Sequence, residues 1–99
     1  MRAILARALS LGISAPALAE DMPKFEPEAY CKKVASFGGN YSAMVESGCI
    51  TTEREAYDDT KVEWQNLAAS IKTHCDKVAK SGGGSYAILK RCIEIEQGD

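Results

Sequence analysis

The sequence predicts an all-α protein made of two tandem αα-hairpins, each closed by a disulfide bond. Three observations support this fold class. Apolar residues recur at helical spacing, glycine clusters interrupt them, and four cysteines fall into two similarly spaced pairs. No alternation of apolar and polar residues is long enough for a sheet. We therefore expect four helical segments, including one long central helix.

The first 19 residues have the layout of a secretory signal peptide. Arg2 and Arg7 give a positive start, 8–15 is a short and mostly apolar run, and Ala17-Leu18-Ala19 forms a small-x-small cleavage pattern. We therefore expect export to the periplasm or the extracellular space. The alternative is an amphipathic N-terminal helix of an intracellular protein.

Charge and hydropathy narrow the classes of partner. Residues 20–99, which exclude the two arginines of 1–19, contain ten basic and fourteen acidic side chains and therefore carry a net charge of −4. A mildly acidic chain without a basic stripe is a poor candidate for nucleic acids or anionic membrane surfaces. No later segment is apolar enough to span a membrane, which takes roughly 20 residues. These features predict a soluble protein.

The first hairpin is expected at about 27–50, after an extended leader at 20–26. Pro27 suits the first position of a helix that would end near Phe37, because Gly38 and Gly39 follow.

The second helix of this hairpin would begin at an N-cap, Asn40, and end near Gly48. A new helix would then start at Thr52, which forms a capping-box spacing with Glu55.

The segment from Thr52 to Ser81 contains no proline or glycine. It predicts one long helix or two nearly collinear ones, with a break near Ala69-Ser70 as the alternative. An apolar stripe recurs every seven residues, and five acidic residues lie mostly off it and are predicted to be solvated. The stripe comprises Tyr57, Trp64, Ile71 and Val78, and the acidic residues are Glu53, Glu55, Asp58, Asp59 and Glu63.

The second hairpin is expected at about 70–97, within a helical domain at 27–99. Gly82-Gly83-Gly84 would form its turn, and Ser85 would cap its last helix.

The two hairpins resemble each other in sequence, which indicates an internal repeat. Tyr30–Cys49 and His74–Cys92 share a cysteine, a glycine turn, a tyrosine and a second cysteine in that order.

The repeat favours disulfide bonds within each hairpin, Cys31 with Cys49 and Cys75 with Cys92. Residues equally distant from a hairpin turn face each other, and facing Cα atoms of packed helices come within disulfide range. The competing arrangement joins the hairpins, with Cys31–Cys92 and Cys49–Cys75.

A tyrosine follows each glycine turn. Tyr41 and Tyr86 either pack their rings over the hairpins with their hydroxyl groups in water, or form paired surfaces for recognition, because tyrosine is favoured at interfaces.

The pattern C-x-x-V-A…G-G-S-Y…C-I-x-x-E, between Cys75 and Glu96, resembles that of small uncharacterised exported proteins of bacteria. The resemblance extends more loosely to the first copy. It implies export and brings no activity, cofactor or ligand.

The sequence lacks the usual parts of a catalytic or metal site. His74 is the single histidine, and the cysteine spacings fit neither a zinc site nor a C-x-x-C redox pair. The glycine run at 82–84 lacks the lysine of a phosphate-binding loop. We therefore expect no enzymatic activity and no cofactor.

The leading hypothesis is a non-enzymatic, soluble, exported helical protein that acts as a protein-binding or accessory module of the bacterial envelope. Its partner would be an unknown envelope protein. The alternative is a thiol-based redox or metal-handling protein that uses Cys31, Cys49, Cys75 and Cys92. Self-association through the Tyr57–Val78 stripe is a further hypothesis.

Overall fold

The computed structural model describes residues 21–98, and in this range the protein is all-helical, as predicted. Positions 1–20 and 99 lie outside the described residues, so the signal peptide at 1–19 stays a prediction. None of the described helices combines the length and the apolar composition that a membrane-spanning helix requires. The four helices within 21–98 are α1, Pro27–Ala35; α2, Ala43–Trp64; α3, Ala69–Ser81; and α4, Tyr86–Glu96.

The first hairpin turns through its glycine pair. Pro27 is the first residue of α1, as predicted, and a short 3₁₀ segment at Phe37–Gly39 follows the helix. Gly38 and Gly39 have φ values of 86° and 93°, a left-handed backbone that glycine adopts without a steric penalty.

The predicted N-cap of the second helix is wrong by two residues. Asn40 has an extended backbone, and Ser42 is the cap, with its Oγ accepting a hydrogen bond from the backbone N–H of Val45 at 3.2 Å. Asparagine and serine are about equally good caps, so local preference does not separate the two positions.

The predicted break near Gly48 does not occur. Helix α2 continues through Gly48, and Thr52 and Glu55 lie in its interior rather than at a cap. An interior glycine costs only about 1 kcal/mol relative to alanine. The packing of α1 against this part of α2 and the disulfide bond of Cys49 offset that cost.

The segment from Thr52 to Ser81, predicted to be one long helix or two nearly collinear ones, contains two helices. Helix α2 ends at Trp64 and α3 begins at Ala69, close to the break considered from the sequence. The connection contains neither glycine nor proline, so no local signal marks it. It places Leu67 in the core, where the residue is 7% exposed, and this burial favours the turn.

The second hairpin follows the prediction closely. Gly83 and Gly84 have φ values of 102° and 84°, and Gly84 N–H donates to the carbonyl of Ala79 at 2.9 Å. The predicted cap is confirmed, because Ser85 Oγ accepts a hydrogen bond from Ile88 N–H at 3.2 Å.

Both disulfide bonds lie within a hairpin, which confirms the predicted pairing. The Cα atoms are 5.6 Å apart in Cys31–Cys49 and 5.5 Å apart in Cys75–Cys92. The linked residues lie on opposite sides of their turns, so each bond joins the two helices of one hairpin.

The hydrophobic core lies in one part of the molecule. Helix α4 packs against both α2 and α3, whereas α1 packs mainly against α2. We call 53–98 the body and 27–52 the arm, a two-helix projection with little core of its own. The buried arm residues are Cys31 and Ala35, and the body buries Ala56, Trp64, Leu67, Cys75, Ala79, Tyr86, Leu89, Cys92 and Ile93.

Glu53 is buried, which corrects its assignment to the solvated acidic face. Its side chain is at the junction of arm and body and is 2% exposed. The carboxylate accepts hydrogen bonds from Ser85 Oγ and Tyr86 N–H, both at 2.6 Å, and from Ala87 N–H at 3.3 Å. It therefore caps the first turn of α4, where the helix dipole also favours negative charge.

We expect Glu53→Gln to lower the free energy of unfolding by about 2 kcal/mol. The amide keeps the shape of the side chain but removes the charge and directs N–H groups at donors of α4. Urea denaturation at pH 7 measures the change. The matched control is Glu55→Gln, which alters an exposed position of the same helix and should leave stability nearly unchanged. Equal effects of the two substitutions would contradict the capping role.

A single proteolytic cut in the α2–α3 connection, between Gln65 and Ala68, should produce two fragments that separate in denaturant without a reductant. Each fragment keeps one complete disulfide bond, so no covalent link spans the cut. Mass spectrometry of the separated fragments measures this directly. Fragments that stay joined until a reductant is added would show that the disulfide bonds cross between hairpins.

Candidate functional site

The turn of the arm carries a cluster of exposed apolar side chains. Large apolar side chains are mostly buried in folded proteins, so a group of them in solvent indicates a binding surface. Five lie within twelve residues around this turn, and we call them the apolar tip. They are Phe37, 90% exposed; Met44, 84%; Tyr41, 55%; Val45, 47%; and Val34, 39%.

The backbone of the turn is held by local hydrogen bonds. Gly39 N–H donates to the carbonyl of Ser36 at 2.9 Å, and Ser42 N–H donates to the carbonyl of Ala35 at 3.0 Å. The Cys31–Cys49 disulfide bond joins the helices behind the turn. The apolar tip is therefore presented on a preorganised scaffold, which lowers the entropy lost on binding.

The charge around the apolar tip differs from that of the whole chain. Lys32 and Lys33 are exposed in the last turn of α1, and Glu46 is the single acidic residue between 32 and 48. The Tyr41 hydroxyl donates a hydrogen bond to the Glu46 carboxylate, and this bond raises the pKa of Tyr41. The apolar tip is thus bordered by net positive charge on an otherwise acidic protein.

The structure does not place Tyr86 on a surface equivalent to that of Tyr41. Tyr86 is 4% exposed, and its ring lies 4.9 Å from the ring centroids of both Phe25 and Tyr57. Its hydroxyl donates to the carbonyl of Pro23 and accepts from Phe25 N–H, both at 2.9 Å. The expectation that this hydroxyl lies in water is therefore wrong.

The two tyrosines differ because they occupy different positions relative to the helix caps. Ser42 and Ser85 are the structurally matching N-caps. Tyr41 precedes its cap and stays outside the helix, whereas Tyr86 follows its cap as the first residue of α4. A constant offset of 43 residues relates Ser42 to Ser85 and Cys49 to Cys92. Aligning the two hairpin sequences on Ser42 and Ser85, instead of on Tyr41 and Tyr86, would have predicted that the two tyrosines occupy different positions.

The four cysteines are all paired in disulfide bonds. Within 21–98 no group of three or more histidine, cysteine or acidic side chains is arranged to hold a metal ion. His74 Nε2 lies 3.6 Å from Glu96 Oε2 at an exposed position. Among residues 21–98, the apolar tip is therefore the candidate binding surface.

Burial raises the pKa of Tyr86 above its ordinary value of 10.0. In the unfolded chain the Tyr86 hydroxyl has its ordinary pKa, so it loses its proton at a lower pH than in the folded protein. The contribution of Tyr86 to the free energy of unfolding is therefore present below pH 10 and is lost as the pH rises through the raised pKa. We expect the free energy of unfolding to fall more steeply above pH 10 in the wild type than in Tyr86→Phe.

At pH 7 the Tyr86→Phe substitution should lower the free energy of unfolding by about 1 kcal/mol, because the hydroxyl makes two hydrogen bonds. Tyr41→Phe is the control at this pH and should change stability little, since Tyr41 is exposed. Urea denaturation between pH 7 and 11 tests both statements. If the free energy of unfolding falls with pH equally steeply in the wild type and in Tyr86→Phe, Tyr86 does not cause the loss of stability above pH 10.

Comparison of the chain with protein-family models, curated proteins and solved structures gave no match.

Proposed function

We propose that this protein is a non-enzymatic, exported binding module that docks on another protein of the bacterial envelope through its apolar tip. The observation that carries the proposal is the clustering of Phe37, Tyr41 and Met44 in solvent at one turn. Aromatic residues and methionine are enriched in the cores of protein interfaces.

The apolar tip can supply useful binding energy in spite of its small size. Full burial of a side chain such as Phe37 or Met44 contributes about 1.5–3 kcal/mol, and a few such anchors dominate most interfaces. Five side chains cover less than the roughly 800 Å² that each partner contributes to a standard interface. The apolar tip therefore fits a concave apolar pocket better than a flat surface.

The length of the arm and its disulfide bond also favour docking. The apolar tip lies about 15 Å along α2 from Glu53, because ten residues at 1.5 Å each separate Ala43 from this junction. A partner can cover the apolar tip without disturbing the core of the body. The arm has few buried residues, so the Cys31–Cys49 disulfide bond is what holds its two helices together. Disulfide bonds persist in oxidising compartments, which supports export.

The double substitution Phe37→Ala with Met44→Ala should reduce capture of the partner from an envelope extract at least about tenfold. This corresponds to the loss of one or two hot-spot side chains. Quantitative mass spectrometry after affinity capture measures the effect. Stability should change by no more than about 0.5 kcal/mol, since both positions are on the surface.

The matched control is Val62→Ala, which removes an equally exposed apolar side chain, 81% exposed, from the body. Capture by this variant should equal capture by the wild type. Tyr86→Ala is unsuitable as a test of docking, because it removes a core side chain. Unchanged capture by the double variant would exclude the apolar tip as the contact surface.

A further inference from the structure

The extended leader at 21–26 lies against the body like a bound peptide. Met22 and Phe25 pack against the core of the body, and Phe25 is 4.9 Å from the Tyr86 ring centroid. A Cβ atom added at Gly84 would lie 3.5 Å from the Phe25 ring. The leader therefore places two apolar side chains, three residues apart, in a groove formed by α2, α4 and the second turn.

The polar contacts of this groove are made to the backbone of the leader. The Tyr86 hydroxyl donates to the carbonyl of Pro23 and accepts from Phe25 N–H. Because every residue has a carbonyl and every residue except proline has an N–H, these bonds recognise an extended main chain rather than one particular sequence. Selectivity then comes from the positions of the apolar side chains, as in other peptide-binding grooves.

The leader does not fill the space beside it. A cleft of about 810 Å³ remains open between the leader and α2. Tyr57 and Trp64 line it, together with Lys61, whose Nζ lies 5.7 Å from the Tyr57 ring centroid. The groove thus has unfilled space beside the leader, with aromatic side chains along one wall.

We propose that this groove is a second binding site, which takes extended peptide segments with two apolar side chains three residues apart. The leader is its resident ligand and occupies it in cis. None of the five apolar-tip residues lines this cleft, so the proposal does not depend on docking through the tip. A tethered ligand acts at a local concentration in the millimolar range, so the leader masks the groove from peptides in solution.

The test measures binding of a labelled peptide with the sequence DMPKFEP, residues 21–27, to chains that span 20–99. Phe25→Ala in the chain removes the larger anchor of the leader and should expose the groove. Fluorescence anisotropy should then show binding to this variant, and at least about tenfold weaker binding to the wild-type chain. The same peptide carrying Phe25→Ala should not bind.

Two controls separate groove binding from general loosening of the fold. Lys24→Ala in the chain changes an exposed leader residue and should leave the groove masked. Adding Tyr86→Phe to the Phe25→Ala chain should weaken peptide binding, because both backbone hydrogen bonds are lost. Circular dichroism and an intact-mass measurement without a reductant verify that each variant is folded and has both disulfide bonds.

If Phe25→Ala prevents folding, a protease site between Glu26 and Pro27 releases the leader after folding, and the peptide is then added. The proposal is overturned if the exposed groove does not bind the peptide at millimolar concentration. It is also overturned if both peptides bind equally, or if the wild-type chain binds as tightly as the variant.

Discussion

The architecture depends on the burial of the Glu53 carboxylate at the N-terminus of α4. A buried carboxylate is costly unless hydrogen bonds replace its water. Here the Ser85 hydroxyl and the backbone N–H groups of Tyr86 and Ala87 do so. Because Glu53 belongs to α2 and its donors belong to the second hairpin, this contact fixes the position of one hairpin relative to the other. The disulfide bonds cannot do this, since each lies within one hairpin.

The same contact organises the leader. By fixing the first turn of α4, Glu53 positions Tyr86, whose ring packs between Phe25 and Tyr57 and whose hydroxyl binds the leader backbone. The leader, α2, α3 and α4 therefore belong to one connected core. The outer part of the arm contributes little to that core, so its side chains are available for contacts outside the molecule.

Most features that depend on neighbouring residues in the sequence were predictable, although the N-cap was placed at Asn40 instead of Ser42. Features that depend on distant residues were not predictable. The glycine turns, the Ser85 cap and the disulfide pairing follow from local conformation and from distances to the turns. Glu53 looked like a member of an exposed acidic face, because its donors lie more than thirty residues away. Helix α2 passes Gly48 because tertiary packing and a disulfide bond outweigh a weak local preference.

The two hairpins share a pattern but end up in different environments, and this difference bears on function. Glu96 follows Ser85 by the same eleven residues that separate Ser42 from Glu53. Its side chain is 42% exposed and lies near His74, however, rather than capping a helix. The second hairpin is covered by α2, whereas the first exposes Phe37 and Met44 at its turn. A covered hairpin supplies stability, so the uncovered one can expose apolar side chains, as the proposed docking requires, without endangering the fold.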